Sequence, residues 1–254
     1  MVHDITFILP LAEMDQQSSP TTTPDSQMFH GRPVAAQVDM VLVRHWFETC
    51  SSGHRLAKSH STPREGRWLR EGGNSHGDED CSPVPRRKIS HFRLVDVKNR
   101  CVILAQGQEE YSALSYVWGC TKRLLLIAEN LAELSTPGAL SPDNEQVPRT
   151  FKDALFVSEQ LSIAFLWIDA VCVLQDNEVQ LVEHMNFMDS IYSAAILTIV
   201  SDAESADSGV PGVSIPRGPS QVTFTHDSKT YISAKRTFGR ALGDSFWESR
   251  AWCL

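Results

Sequence analysis

The sequence predicts an α/β fold, a mostly parallel sheet with flanking helices, and three observations predict it. Phe165-Leu166-Trp167-Ile168-Asp169-Ala170-Val171-Cys172-Val173-Leu174-Gln175-Asp176 is apolar at nearly every position up to Leu174. A run without alternation reads as a strand covered on both faces, and its β-branched and aromatic content favours strand over helix. Helical patterns stand on either side of this run, and a further buried run, Ile196–Val200, follows the second of them. Strand, helix, strand, helix, strand is the order of βαβ units.

The 254 residues suffice for one or two domains, and 42% hydrophobic content supports a real core. Residues 1–100 carry 13 basic against 12 acidic side chains, and residues 101–254 carry 10 against 19. An acidic, apolar-rich second part argues against nucleic acid as a partner. Six scattered cysteines without a C-x-x-C pair fit a reducing compartment. No apolar run approaches the ~20 residues of a membrane helix, so a cytoplasmic protein is expected.

Taken in order, residues 13–33 and 59–85 are Ser-, Pro-, Gly- and charge-rich and are expected to be mobile. Residues 1–85 thus form a low-order region with a short helical segment near 40–57, and 86–254 the folded domain. Cys50 and His54, four apart on that helix, share a face, but zinc needs two more ligands. A local helix with polar decoration is preferred, and no metal site is assigned. Arg86-Arg87-Lys88 reads as a solvated boundary before a strand rather than a phosphate patch. Ile89–Leu104 divides into two strand-like runs around Lys98-Asn99-Arg100, a β-hairpin.

Tyr111–Val117 is a strand closed by Trp118-Gly119, where a glycine permits the chain to turn away. Leu124–Ile127 reads as a short strand and Glu129–Leu134 as a helical turn. Thr150 with Asp153 gives a variant capping box. Phe151, Ala154, Leu155, Ser158 and Leu161 follow on one helical face. A second helix spans about Glu178–Tyr192, with Leu181, Met185, Met188 and Tyr192 on one stripe. A modest β pattern covers Val222–Ile232. Tyr111–Val117, Phe165–Val173 and Ile196–Val200 are expected as neighbouring strands.

Asp169 is the chemical oddity of the central run. A carboxylate there must end the strand, hold a partner or be protonated. Donors from Tyr111–Gly119 or from the start of the following helix are the expected partners. Ligand sites in open α/β sheets form outside the carboxyl ends of strands. Tyr116, Trp118, Gly119, Asp169, Gln175 and Asp176 are therefore the candidate ligand-binding or structural residues. Each has a plainer reading: Trp118 and Trp167 as core aromatics, Asp169 as a cap, Gln175 and Asp176 as N-caps of the next helix. Cys172 reads as an inert buried thiol.

Tyr111–Gly119, Pro148–Ala154, Leu166–Asp176 and Met188–Ala195 resemble, in order and spacing, the fungal heterokaryon-incompatibility (HET) domain. Gly209-Val210-Pro211-Gly212…Arg217 and Arg250-Ala251-Trp252 resemble its later blocks. The resemblance implies a TIR-like, flavodoxin-type sheet and a role in cell death on fusion of unlike hyphae. It also departs from the family pattern. The Gln-Glu pair after Arg-x-Trp is missing, as in a C-terminally truncated member. Where the family carries Trp, Leu181 stands, and where it carries Glu or Gln, His184 stands. Glu183 is one position off, a rotation of ~100° on a helix.

Three functions follow: an interaction module acting through self-association or an incompatibility partner, a TIR-like enzyme cleaving NAD as substrate, or an inactive fragment. The interaction module is preferred, with no cofactor. In the enzymatic alternative, Glu183 is the catalytic carboxylate. The absence of G-x-G-x-x-G and Walker A patterns weighs against the enzyme.

Overall fold

The computed structural model describes residues 8–10, 33–60, 89–119, 124–218 and 221–233. Of the expected mobile stretches 13–33 and 59–85, all but Pro33, Ser59 and His60, like the Arg250-Ala251-Trp252 block, lie outside these residues, and Ser59 and His60 end a helix instead. The described residues form two sheets, a five-stranded mixed sheet and a three-stranded antiparallel one.

In the five-stranded sheet, β2 (Arg93–Asp96) and β3 (Cys101–Leu104) form the expected antiparallel hairpin. β4 (Tyr111–Ser115), β5 (Phe165–Trp167) and β6 (Leu197–Val200) supply the rest, in the order β3-β2-β5-β4-β6. β5-β4-β6 is parallel throughout, so the three runs are neighbours as expected, with β6 only partly buried. The hairpin joins through an antiparallel β2–β5 pair, so the sheet is mixed, with the expected parallel block β5-β4-β6 beside the expected hairpin.

The sheet is covered on both faces, and side-chain alternation along β4 shows how. The Tyr111 hydroxyl donates to Ile191 O on one face, whereas Ser112 Oγ meets Ser158 Oγ on the other. Ser158 belongs to α3 (Arg149–Gln160), and Ile191 to α6 (Met188–Ala194). Trp167, in register with Ala113, packs edge-on against Tyr192 of α6, and Tyr116 packs edge-on against Phe151 of α3. All five residues of β4 are buried, Ser112 and Ser115 included, as in a strand covered on both faces. α1 (Met40–His60), longer than the sequence suggests, lies against α3, and Arg44 Nε donates to Gln160 O at 2.9 Å.

The central run corrects the prediction. The expected Phe165–Val173 strand stops at Trp167, and Asp169–Cys172 forms a one-turn helix, α4. Ile168 is still extended, and Cys172 N then donates to Ile168 O at 2.8 Å. Every residue of α4 is buried. A buried turn is as uniformly apolar as a buried strand, so periodicity does not separate them.

Other local corrections have similar causes. The helix predicted over Glu178–Tyr192 is two, α5 (Glu178–Asn186) and α6, broken at Phe187. Asn177, not Gln175 or Asp176, caps α5 by accepting from Gln180 N at 3.1 Å. Pro148, two positions before Thr150, is the N-cap residue of α3, so the capping-box pair falls inside the helix. Thr150 Oγ1 and Asp153 Oδ2 instead accept from Gly209 N and Val210 N, and Ser214 Oγ also donates to Asp153. The expected strand at residues 124–127 is absent, and the segment is held by single bonds: Leu126 N donates to Ala170 O, and Leu126 O accepts from Gln175 N. The expected turn near Leu134 is present as α2 (Leu131–Leu134).

The second sheet runs β1-β8-β7, with β1 (Ile8–Pro10), β7 (Thr223–His226) and β8 (Lys229–Ser233). Asp227 and Ser228 both have positive φ, the two-residue loop whose twist suits a hairpin.

Candidate functional site

Parallel strands β4 and β5 end side by side, and the chain leaving each turns across their carboxyl ends. Beyond β4 come Tyr116, Trp118 and Gly119; beyond β5 comes Asp169. Trp118 Nε1 donates to Asp169 Oδ2 at 2.7 Å, and Ala170 N donates to Oδ1 at 2.8 Å. Asp169, 8% exposed, thus holds a donor from the Tyr111–Gly119 region, as burial of a carboxylate demands. Gln175 Nε2 donates to Asp169 O at 3.0 Å and to Val173 O at 2.9 Å, clasping the exit of α4. Asp176 Oδ2 accepts from Ala128 N at 2.9 Å and so anchors the 124–128 segment.

Trp118, Asp169 and Gln175 line a cavity of about 170 Å³, completed by Val173, Leu181, His184, Met185 and Met188. Three of the sequence-predicted residues therefore meet at one pocket. Tyr116 is buried in the core against Phe151, outside the pocket lining. Gly119, with φ +74°, passes the 204–206 loop so closely that a Cβ would lie 2.5 Å from Ser205 Cβ.

Glu183 is not part of this lining. Its carboxylate accepts from Ser90 N at 3.0 Å and from Ser90 Oγ, which ties α5 to the segment before β2. These Ser90 hydrogen bonds hold its carboxyl below the usual range. α5 sets His184, 1% exposed, against the cavity together with Leu181 and Met185. Its Nδ1 lies 2.8 Å from Gln180 O, and its ring stacks on Phe92. Burial pushes the imidazole below its ordinary value, against the opposing pull of Gln180 O and Glu183. His184, Val173, Met185 and Met188 escaped the sequence's list of site residues. The signal for His184 was present in the resemblance, which put the family's Glu or Gln at this position.

Cys172 is fully buried, its Sγ accepting from Ile168 N, and burial pushes its thiol up to about 12. At neutral pH it holds its proton and is no nucleophile. Among the described residues, no group of three or more His, Cys, Asp or Glu side chains could hold a metal. Cys50 is exposed on α1.

The arrangement is that of an α/β domain with an apolar pocket at the carboxyl ends of adjacent parallel strands. The chain belongs to the heterokaryon incompatibility protein (HET) family, whose family model matches residues 111–254, more than half of the chain. The match begins at β4, so hairpin β2–β3 precedes it in sequence yet pairs into the same sheet. No curated protein and no solved structure matches the chain.

Proposed function

We propose that this is a fungal heterokaryon-incompatibility-type protein that acts in the cytoplasm, in non-self recognition and programmed cell death, through contact with other proteins. The observation that carries this reading is an exposed apolar stripe on α5. Val179, Val182 and Met185, each three residues from the next, are 79%, 50% and 58% exposed. Such clusters of apolar surface mark protein contacts more often than isolated residues do. The partner is either a second copy of this chain or an incompatibility partner.

The TIR-like alternative, cleavage of NAD, draws its support from the pocket's place at the strand ends. It needs a carboxylate poised at the reacting ribose. Glu183 is held by Ser90 and Asp169 by Trp118, which weighs against it. The test expresses the chain in a fungal host and scores hyphal death and cellular NAD together, with Glu183→Ala and a Val179→Asp/Val182→Asp variant alongside. Death without NAD loss, abolished by the double Asp variant, is expected. NAD loss that Glu183→Ala abolishes would overturn the interaction reading in favour of the enzyme. Absence of death in every arm would favour the inactive fragment.

A further inference from the structure

Ser90 lies on an exposed turn at the start of the folded domain, directly after Arg86-Arg87-Lys88-Ile89. Three successive Lys or Arg residues occur nowhere else in the chain. Arginine three positions before a serine, with further basic charge beside it, is a pattern that basophilic protein kinases select by charge. Of the described residues that such a kinase would grip, Ser90 and His91 are exposed and only Ile89 is buried.

The same serine holds a helix. Ser90 Oγ donates to Glu183 Oε2, and Ser90 N donates to Oε1 at 3.0 Å, so one residue meets both carboxylate oxygens of Glu183 on α5. Two other contacts join α5 to this segment: Arg93 Nη1 donates to Gln180 Oε1 at 3.1 Å, and His184 stacks on Phe92. What Ser90 Oγ gives Glu183 is its hydroxyl proton, and phosphorylation removes that proton.

We infer that Ser90 is a phosphorylation site for a basophilic serine kinase, and that its phosphate loosens α5 from the segment before β2. In the transfer, Ser90 Oγ gives up its proton to the kinase and bonds to the γ-phosphorus of ATP. The bond from that phosphorus to the β–γ bridging oxygen breaks, and ADP leaves. The product sets a charge of about −1.5 to −2 where a donor had faced the Glu183 carboxylate, and like-charge repulsion replaces a hydrogen bond. Arg93 does not take over the lost role, because its Nη1 is committed to His91 O and Gln180 Oε1. The inference does not rest on the protein-contact reading, since it is read in phosphate and helix exchange rather than hyphal death.

The test incubates the native full chain with ATP and the catalytic subunit of cyclic-AMP-dependent protein kinase, a basophilic probe, and locates phosphate by mass spectrometry. Phosphate on Ser90 is expected, and its loss in Arg86→Ala/Arg87→Ala. Hydrogen–deuterium exchange then compares the two forms of the chain. Amides of residues 178–186 should exchange about tenfold faster after phosphorylation, the worth of one hydrogen bond to a charged group, while those of β4 keep their rates. Glu183→Gln keeps an acceptor without the charge, so phosphorylation should change its α5 rates by less than about twofold. The proposal is overturned if the native chain takes no phosphate on Ser90, or if α5 of the phosphorylated chain exchanges at an unchanged or slower rate. It is equally overturned if Glu183→Gln shows the full acceleration. The two wild-type measurements decide the matter even if Glu183→Gln does not fold.

Discussion

Removing the Asp169 carboxylate tests whether the strand-end architecture rests on the bond observed there. In Asp169→Ala, Trp118 Nε1 loses the partner that it meets at 2.7 Å, and Ala170 N loses the one at 2.8 Å. A hydrogen bond to a charged group is worth about 1.5–3 kcal/mol. Trp118 is only partly buried, so water recovers some of that loss. A net destabilisation of about 2–3 kcal/mol is expected, which lowers Tm by roughly 4–12 °C in a domain of this size. Asp169→Asn keeps an acceptor but not the charge, and should lose about half as much. The assay is urea unfolding of the single variants, of Trp118→Phe, and of the double variant. Phe keeps the ring and removes only the donor, so the cycle isolates the pair, with a coupling of about 1–2 kcal/mol expected. Coupling below about 0.5 kcal/mol would refute the reasoning, because additive losses mean that the two side chains act independently. A folded Asp169→Ala of unchanged Tm would assign the carboxylate to function alone.

Two further predictions concern the pocket's edges. Burial holds His184 below its ordinary value of 6.5, so on acidification the unfolded chain takes up a proton before the folded one. Stability should therefore fall as pH drops through about 6.5 and level off below the depressed folded value; the groups facing the ring are Gln180 O and Glu183, which raise it, and Arg93 and His91, which lower it. Urea midpoints from about pH 8 to about pH 5, with the His184→Phe curve subtracted, should show this slope, and a flat difference would contradict it. Gly119→Ala places a Cβ at positive φ and 2.5 Å from Ser205 Cβ; strain and overpacking together should cost roughly 2–5 kcal/mol. Ser205→Gly should restore the steric share only, and a loss under about 1 kcal/mol by urea unfolding would show that the 204–206 loop does not press on Gly119 as described.

Much of this protein was legible in the chain alone. The apolar-rich runs Tyr111–Val117, Phe165–Val173 and Ile196–Val200 marked three neighbouring strands, although the strand in the second of them ends at Trp167. The face of α3 was legible for the same reason: Phe151, Ala154, Leu155, Ser158 and Leu161 are all buried. The resemblance carried by ordered blocks gave the family. Asp169 was marked as the residue to explain, since charge inside an apolar run requires a partner.

Only the tertiary structure decided which partner. Trp118 is 51 positions away in sequence, and of the two donor regions expected for Asp169 only the side-by-side ends of β4 and β5 single out its indole. The strand-to-helix switch at Asp169 was equally hidden, because burial erases the periodicity that separates the two. Thr150 and Asp153 carry cap chemistry, yet they bond residues 209–214, since the same side-chain oxygens serve any donor brought within reach. The choice between Glu183 and His184 shows the limit most clearly. Composition favours the carboxylate, but one residue on a helix is about 100° of rotation. That rotation sets Glu183 on Ser90 and His184 against the cavity, and the contacts of α5 with Ser90 and Phe92, not sequence, fix it.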